Sequence, residues 1–352
     1  MTASRDAGFA VAEADSRRPV RIGVLGTGRI GRMHAQLLMR EVPGATVTVV
    51  ADADPGAATR VAADLGTEAA GSVDEVLASP HVDAVAICTS TDTHVDLVVR
   101  AAQAGKAIFC EKPVSLNLAA LDRAVAAVER AGVPFMVGFN RRFDPGHASV
   151  HDAVRRGVVG DLHMVRITSR DPAPPPPEYV AVSGGIFLDM AIHDFDMARY
   201  VVGSEVVEVF ARGAVRIDPR IGEAGDVDTA VTVLTHADGT LTTIDNSRQA
   251  VYGFDQRIEA FGARGMTVSD NPLRHAGWTR TAEATSGQPL PWFFLDRYME
   301  SYRREWAAFV SFLRDGGPSP VDAQAARAPL VIGLAARRSL REGRPIAISE
   351  VV

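Results

Sequence analysis

Three groups of residues carry chemistry by type and spacing. The first is Gly26-Thr27-Gly28-Arg29-Ile30-Gly31, followed downstream by Asp52. Glycine at the first position permits a tight turn, at the second lets backbone approach a pyrophosphate, and at the third lets a helix pack closely on a strand. Free N–H groups at the start of that helix then face phosphates. A carboxylate at Asp52 can accept both hydroxyls of a ribose, and its neighbour is Ala53, not an arginine that would welcome a 2′-phosphate. The reading is a dinucleotide site made by Gly26, Gly28, Arg29, Ile30, Gly31 and Asp52, with NAD preferred over NADP. The competing reading is a structural glycine turn.

The second group is Glu111-Lys112-Pro113. Lysine and arginine together number 37, yet lysine occurs only at Lys106 and Lys112. Lys106 lies in an Ala-Gly-Lys turn and reads as a solvated turn residue. Lys112 stands between an acidic residue and a proline at a strand end, which is poorly explained as surface charge; a structural salt bridge remains the alternative. The third group is Gly184-Gly185-Ile186-Phe187-Leu188-Asp189-Met190-Ala191-Ile192-His193-Asp194. On a helix Asp189 and His193 are i and i+4, one turn apart on one face, with Leu188 and Ile192 on the adjoining apolar face. Such a pair can bind a metal, form a surface pair or orient a general base. A metal would need another histidine or cysteine at recognisable spacing, and none is found. Beside a dinucleotide site, acid–base work is the better reading.

The elements that must position these groups are legible as patterns. Val20–Leu25, Thr46–Ala51, Ala84–Cys88, Ala107–Cys110 and Phe135–Val137 read as strands separated by helix-patterned segments, which implies parallel βαβ units. The expectation is α/β, with an N-terminal doubly wound Rossmann domain over 20–141. After Arg142 the rhythm changes. A helix (Asp144–Arg155), an extended run (Leu162–Thr168) and a proline-rich loop precede strands at Val206–Ile217, Thr229–Thr235, Thr240–Ser247, Gln256–Phe261 and Met266–Val268. Short turns between them suggest a C-terminal α/β domain over 142–352 with a largely antiparallel open sheet. Helices over Leu295–Arg314 and Asp322–Glu342 close the chain. Residues 1–19 read as a flexible leader.

Because ligands in open α/β sheets sit beyond the carboxyl ends of the strands, Thr89, Ser90, His94, Glu111 and Lys112 are expected to border the nicotinamide half of the cofactor. The stretch Thr91–His94 serves equally well as a capped helix start. Composition narrows the partners. The chain is 47% apolar and 23% charged with a net charge of −6, and like charges form no long blocks. A nucleic-acid footprint is not indicated, no apolar run approaches bilayer length, and Cys88 and Cys110 form no disulfide or zinc pattern. The expectation is a cytoplasmic protein that acts on a small molecule.

Taken in order, the glycine motif, the acidic strand end, Glu-Lys-Pro and Asp-x-x-x-His resemble the Gfo/Idh/MocA oxidoreductase family from Val20 onward, and in particular its bacterial inositol dehydrogenase branch. Longer strings carry that likeness: GFNRRFDPGH (Gly138–His147), Ser169–Tyr200, VYGFDQRIEAFG (Val251–Gly262) and Phe293–Phe309. The resemblance implies NAD-dependent oxidation of a secondary ring alcohol, myo-inositol to 2-keto-myo-inositol, with Lys112, Asp189 and His193 catalytic. It implies a cis Lys112–Pro113 peptide. It places Asn140 and Arg141 near the substrate, adds Asp171 and Tyr252 as contacts to polyol hydroxyls, and implies a homotetramer with no metal. In that chemistry a histidine, which ordinarily titrates near 6.5, takes the hydroxyl proton. Asp189 fixes the imidazole or holds a neighbouring hydroxyl, and Lys112 donates to the reacting oxygen. Another inositol isomer or sugar as substrate, or a non-catalytic NAD-binding sensor, are the competing functions. A zinc alcohol dehydrogenase lacks its cysteines here, and no Tyr-x-x-x-Lys occurs.

Overall fold

The computed structural model describes residues 18–352, so most of the expected leader lies outside the described residues. Among the described residues two compact units emerge: 18–138 with 305–323, and 139–304 with 324–352. The division differs from a single cut after Arg141, because the chain returns to the first unit near its end. Trp306 and Phe309 pack on Phe109, Ser319 Oγ donates to the Phe135 carbonyl at 2.7 Å, and the Val137 N–H donates to Val321 O at 3.0 Å.

The first unit holds β1 (Val20–Leu25), α1 (Arg29–Arg40), β2 (Ala45–Ala51), α2 (Pro55–Leu65), β3 (Glu68–Ala69), α3 (Val73–Ala78), β4 (Ala84–Ile87), α4 (Thr91–Gln103), β5 (Ala107–Glu111), α5 (Leu118–Ala131) and β6 (Phe135–Gly138). Its six strands run parallel in the order β3-β2-β1-β4-β5-β6. Strands β4 to β6 are apolar on both faces because helices cover both. Caps fix the helix starts: Asp54 accepts from the Gly56 N–H at 2.8 Å and Asn117 from the Ala120 N–H at 2.9 Å. The order reverses direction between β1 and β4, the topological switch at which a doubly wound sheet opens a ligand crevice.

The second unit holds α6 (Pro145–Arg155), β7 (Leu162–Arg170), α7 (Pro177–Ser183), a π-helical turn (Ile186–Met190), α8 (Ile192–Val202), β8 (Val206–Ala214), α9 (Pro219–Glu223), β9 (Thr229–His236), β10 (Leu241–Ser247), β11 (Asp255–Gly262), β12 (Gly265–Ser269), the small hairpin β13 (Thr279–Arg280) and β14 (Thr285–Ser286), the first half of α10 (Phe294–Asp315), most of α11 (Ala323–Glu342) and β15 (Ile346–Ala347). The sheet order is β12-β11-β7-β10-β9-β8-β15. Only β7–β10 is parallel; the other ladders are antiparallel. Burial alternates along β9 and β10, so one face packs on α6, α8 and α11 through Val150, Phe195, Met197, Ile332 and Ala335 while the other stays open.

Three local expectations need correction. Strand β8 stops at Ala214, three residues early, because Asp228 draws the N–H groups of Arg216, Ile217 and Asp218 into a turn that leads to α9. Asp189 and His193 do not share a regular α-helix: Asp189 sits in the π-helical turn and His193 in the first turn of α8. Lys106 is not merely a solvated turn residue. Its half-buried ammonium donates to Ser79 O at 2.7 Å and Val82 O at 2.8 Å, which ties the β5 entrance to the end of α3.

Candidate active site

In the first unit the sequence-expected nucleotide residues gather at the carboxyl ends of β1, β2, β4 and β5. Gly26 adopts φ 90°, and a Cβ on Gly31 would stand 1.8 Å from Gly26 O, so α1 lies against the turn as only glycine permits. Gly28 caps α1, and a Cβ there would meet nothing within 4 Å, leaving the helix start open toward solvent. Asp52 Oδ2 accepts from the Thr27 N–H at 2.5 Å and its hydroxyl at 2.9 Å, while Oδ1 accepts from the Asp54 N–H at 2.9 Å. Burial works to raise that carboxyl, but the Thr27, Asp54 and Ala53 donors hold it below the usual range. An open helix start beside a firmly anionic strand end fits a diphosphate followed by a ribose diol.

At the end of β4, Thr89 and Thr93 share a hydroxyl hydrogen bond of 2.6 Å, and Ser90 precedes α4. His94 is buried, with Nδ1 3.0 Å from Pro113 O and Nε2 3.1 Å from Thr89 O. Burial depresses its imidazole against those two carbonyls, and a neutral ring donates to one of them at a time. His94 thus joins the two strand-end segments. At the end of β5, Glu111 Oε2 accepts from the Lys112 N–H at 3.1 Å and Oε1 lies 2.7 Å from His34 Nε2. The Lys112–Pro113 peptide is cis.

In the second unit Gly184 and Gly185 both have positive φ, 91° and 74°. A Cβ on Gly185 would approach Asp226 Oδ1 to 2.7 Å, and Asp226 Oδ2 accepts the Ile186 N–H at 2.8 Å. That pin starts the π-helical turn, and buried Leu188 and Ile192 anchor it on the core side. Asp189 is thereby presented to Tyr179, whose hydroxyl donates to Oδ1 at 3.1 Å, and to Arg248, whose Nη1 lies 3.5 Å from Oδ2. The Arg248 Nη2 lies 3.9 Å from Asp226. Asp171 belongs to the same charge cluster. Burial pushes its carboxyl up to about 6, Asp189 and Asp194 add to the rise, and Arg248 and Arg141 oppose it. His193 is half-buried, edge-on to Phe139 with ring centres 5.9 Å apart.

Other expected substrate residues sit differently. Asn140 is buried and donates to Ser301 Oγ at 3.2 Å. Arg141 is buried too, with Nη1 2.6 Å from Asp194, whose other oxygen accepts from Asn246 at 2.8 Å. Both sit inside a polar network rather than on an open wall. Tyr252 donates to Asp255 at 2.7 Å and accepts from Arg170 at 3.0 Å, so its hydroxyl serves a different cluster from that of Asp189. Sequence reasoning missed Arg248 and Tyr179: neither lies within a recognisable spacing of Asp189, and only the fold brings them there. Among the described residues no His/Cys/Asp/Glu group could hold a metal ion, and no described helix is long and apolar enough to cross a membrane.

Residues 20–139 match the family model described as oxidoreductase family, NAD-binding Rossmann fold, and residues 147–268 match the GFO/IDH/MocA C-terminal domain. A myo-inositol 2-dehydrogenase of Thermotoga maritima is 47% identical over 334 residues, covering 95% of this chain and all of its own. The chain belongs to the GFO/IDH/MocA oxidoreductase family. Its structure is similar to that of a myo-inositol dehydrogenase from Corynebacterium glutamicum, with TM-score 0.89, 40% identity and coverage of 94% and 98% of the two chains. It is also similar to a scyllo-inositol dehydrogenase from Lactobacillus casei crystallised with NAD(H) and scyllo-inositol, with TM-score 0.88, 26% identity and coverage of 94% and 100%. As a member of this family the chain is an NAD-dependent oxidoreductase; the glycine turn Gly26–Gly31 lies in one unit, and Asp189 and His193 lie in the other.

Proposed function

We propose that the protein oxidises myo-inositol to 2-keto-myo-inositol with reduction of NAD. The observation that carries this reading is the full-length likeness to a myo-inositol 2-dehydrogenase in a chain that contains Lys112, Asp189 and His193 together with the nucleotide loop. Gly26, Gly28, Arg29, Ile30, Gly31 and Asp52 hold the dinucleotide, and Thr89, Ser90, His94, Glu111 and Lys112 border its nicotinamide end. Bound NAD supplies the acceptor for the hydride that leaves the carbinol carbon. His193 takes the hydroxyl proton as general base. Lys112 donates to the same oxygen and offsets the negative charge that develops there. Asp189, held by Tyr179 and Arg248, orients the imidazole or a neighbouring substrate hydroxyl. Asp171 and Tyr252 contact further hydroxyls, while Asn140 and Arg141 support that wall through Ser301 and Asp194.

A second reading, scyllo-inositol as the preferred isomer, draws on the Lactobacillus casei neighbour. We further propose a cytoplasmic homotetramer assembled on the open sheet face, where Val231, Leu241, Phe261, Met266 and Val268 are exposed in the single chain. NADH formation is to be measured with myo-, scyllo- and D-chiro-inositol and glucose, first with NAD and then with NADP. Turnover highest on myo-inositol with NAD is expected. Activity confined to glucose, or to NADP, sinks the proposal.

A further inference from the structure

Behind Glu111 lies a chain of hydrogen bonds that no part of the oxidation uses directly. The Trp306 indole Nε1–H stands 2.8 Å from His34 Nδ1, His34 Nε2 stands 2.7 Å from Glu111 Oε1, and the Lys112 N–H donates to Glu111 Oε2 at 3.1 Å. An indole nitrogen is a donor only, so His34 Nδ1 must be the acceptor. Its proton therefore sits on Nε2 and points at the carboxylate. A proton on Nδ1 would confront the indole N–H, so the ring is fixed in one tautomer by the tryptophan.

The surroundings reinforce that assignment. His34 and Trp306 are completely buried. His34 meets Phe109 and Trp306 edge-on at 5.5 Å, Phe109 lies 4.2 Å from Trp306, and Phe309 closes the aromatic box at 5.5 Å from the indole. Side chains packed this way have one rotamer each. Room for the carboxylate is made by Gly138 at the end of β6, where a Cβ would come within 3.2 Å of Glu111 Oε1. A second buried acid, Glu305, lies in the same unit with neither carboxyl oxygen hydrogen-bonded. Burial, and after it the charge of Glu111, pushes Glu305 well above the carboxylate range. Glu111 is the acid whose two oxygens meet the imidazole and the Lys112 N–H.

We infer that His34, locked by Trp306, is a positioning residue for Lys112: it aims the Glu111 carboxylate so that its second oxygen fixes the Lys112 backbone. The inference rests on the dehydrogenase reading, in which the Lys112 ammonium acts at the substrate oxygen. Outer partners of this kind set where an inner group stands without touching substrate, and their loss characteristically costs 10- to 100-fold in activity.

The lysine count makes the test direct. With ¹³C-labelled lysine, the NAD-loaded holoenzyme gives two side-chain signals, one each for Lys106 and Lys112, and Lys112→Arg assigns them. Trp306→Phe keeps an aromatic ring in the box while removing the N–H together with the five-membered ring that carries it; His34→Gln keeps a donor toward Glu111 without the imidazole. In both variants the Lys112 signal is expected to move while that of Lys106 stays, and in wild type ¹⁵N-histidine spectra should show His34 as the Nε2–H tautomer. Trp306→Phe should lower kcat about 10-fold with the Kd for NAD unchanged within about twofold, and His34→Gln should recover part of the rate lost in His34→Ala. An unmoved Lys112 signal in both variants, or an Nδ1–H tautomer, overturns the inference. Failure of the wild-type enzyme to oxidise any inositol overturns the functional reading instead, and the two spectroscopic outcomes still decide whether His34 positions Lys112.

Discussion

Arg248 Nη1 lies 3.5 Å from Asp189 Oδ2, so the carboxylate of the Asp-x-x-x-His pair is held by a buried guanidinium far away in sequence. That guanidinium also faces Asp226 at 3.9 Å and restrains Asp171. It is the positive charge around which three carboxylates are arranged, and its removal leaves them to repel one another. Arg248→Met is therefore expected to lower kcat/KM for myo-inositol about 10- to 100-fold and to move the acid limb of its pH profile upward by roughly one unit. A pH–rate series on folded, NAD-binding protein checks this. An unmoved acid limb would leave Arg248 with a packing role only.

For His193 the expectation follows from its assignment as proton acceptor. His193→Ala should lower kcat by roughly 10²- to 10⁴-fold. Because the nucleotide loop belongs to the other unit, NADH binding measured by fluorescence titration should persist within about twofold of wild type. An undiminished turnover rate removes His193 from the mechanism.

The fold was legible where local pattern and global position agree. Strand β4 is apolar throughout and β5 is apolar up to its terminal Glu111, and their ends fall within one residue of expectation because nothing competes with the pattern. The cofactor loop was legible for a similar reason, since its chemistry is local: three glycines and the strand and helix around them. Asp189 and His193 were found by spacing, but the π-helical turn that separates them was not. It is set by Gly185 and the Asp226 carboxylate, 40 residues away, and no i, i+4 rule sees that distance. Arg248, Tyr179, His34 and Trp306 escaped for the same physical reason, each acting through a contact made only after folding. The Arg141 guanidinium pairs with buried Asp194, a partner that a sequence pattern cannot assign.

Asp52 offers a test of cofactor choice. Its carboxylate is held anionic by Thr27, Asp54 and Ala53, and an anion there accepts from ribose hydroxyls and repels a 2′-phosphate. Asp52→Asn removes the charge and one acceptor while keeping the shape. The KM for NAD is expected to rise about 10-fold, equivalent to ~1.4 kcal/mol, and the NAD-to-NADP preference to narrow by at least as much. An unaltered NAD-to-NADP ratio would show that discrimination lies elsewhere in the loop.

Asp171 couples the site to stability. Its carboxyl is pushed up to about 6 in the folded protein, chiefly by burial, whereas an unfolded chain leaves it near the usual aspartate value of about 3.9. The folded state therefore holds the proton more tightly than the unfolded state. The associated stability is fully present below about pH 4 and is lost as pH rises through about 6, leaving an ionised, strained carboxylate at neutral pH. After discounting by about half for the solvent contact the side chain keeps, the cost is about 1–2 kcal/mol. Asp171→Asn should thus raise Tm by roughly 2–4 °C at pH 7.5, with the gain vanishing below pH 4. If Asp171 also contacts a substrate hydroxyl, the same variant should raise the KM for myo-inositol about 5- to 50-fold, since an amide accepts a hydroxyl proton less strongly than a carboxylate. Thermal melts across pH and steady-state kinetics separate the two effects. A lower Tm at pH 7.5 would mean that Asp171 is stabilised by its arginine neighbours more than burial costs it, and an unchanged KM would remove it from the substrate wall.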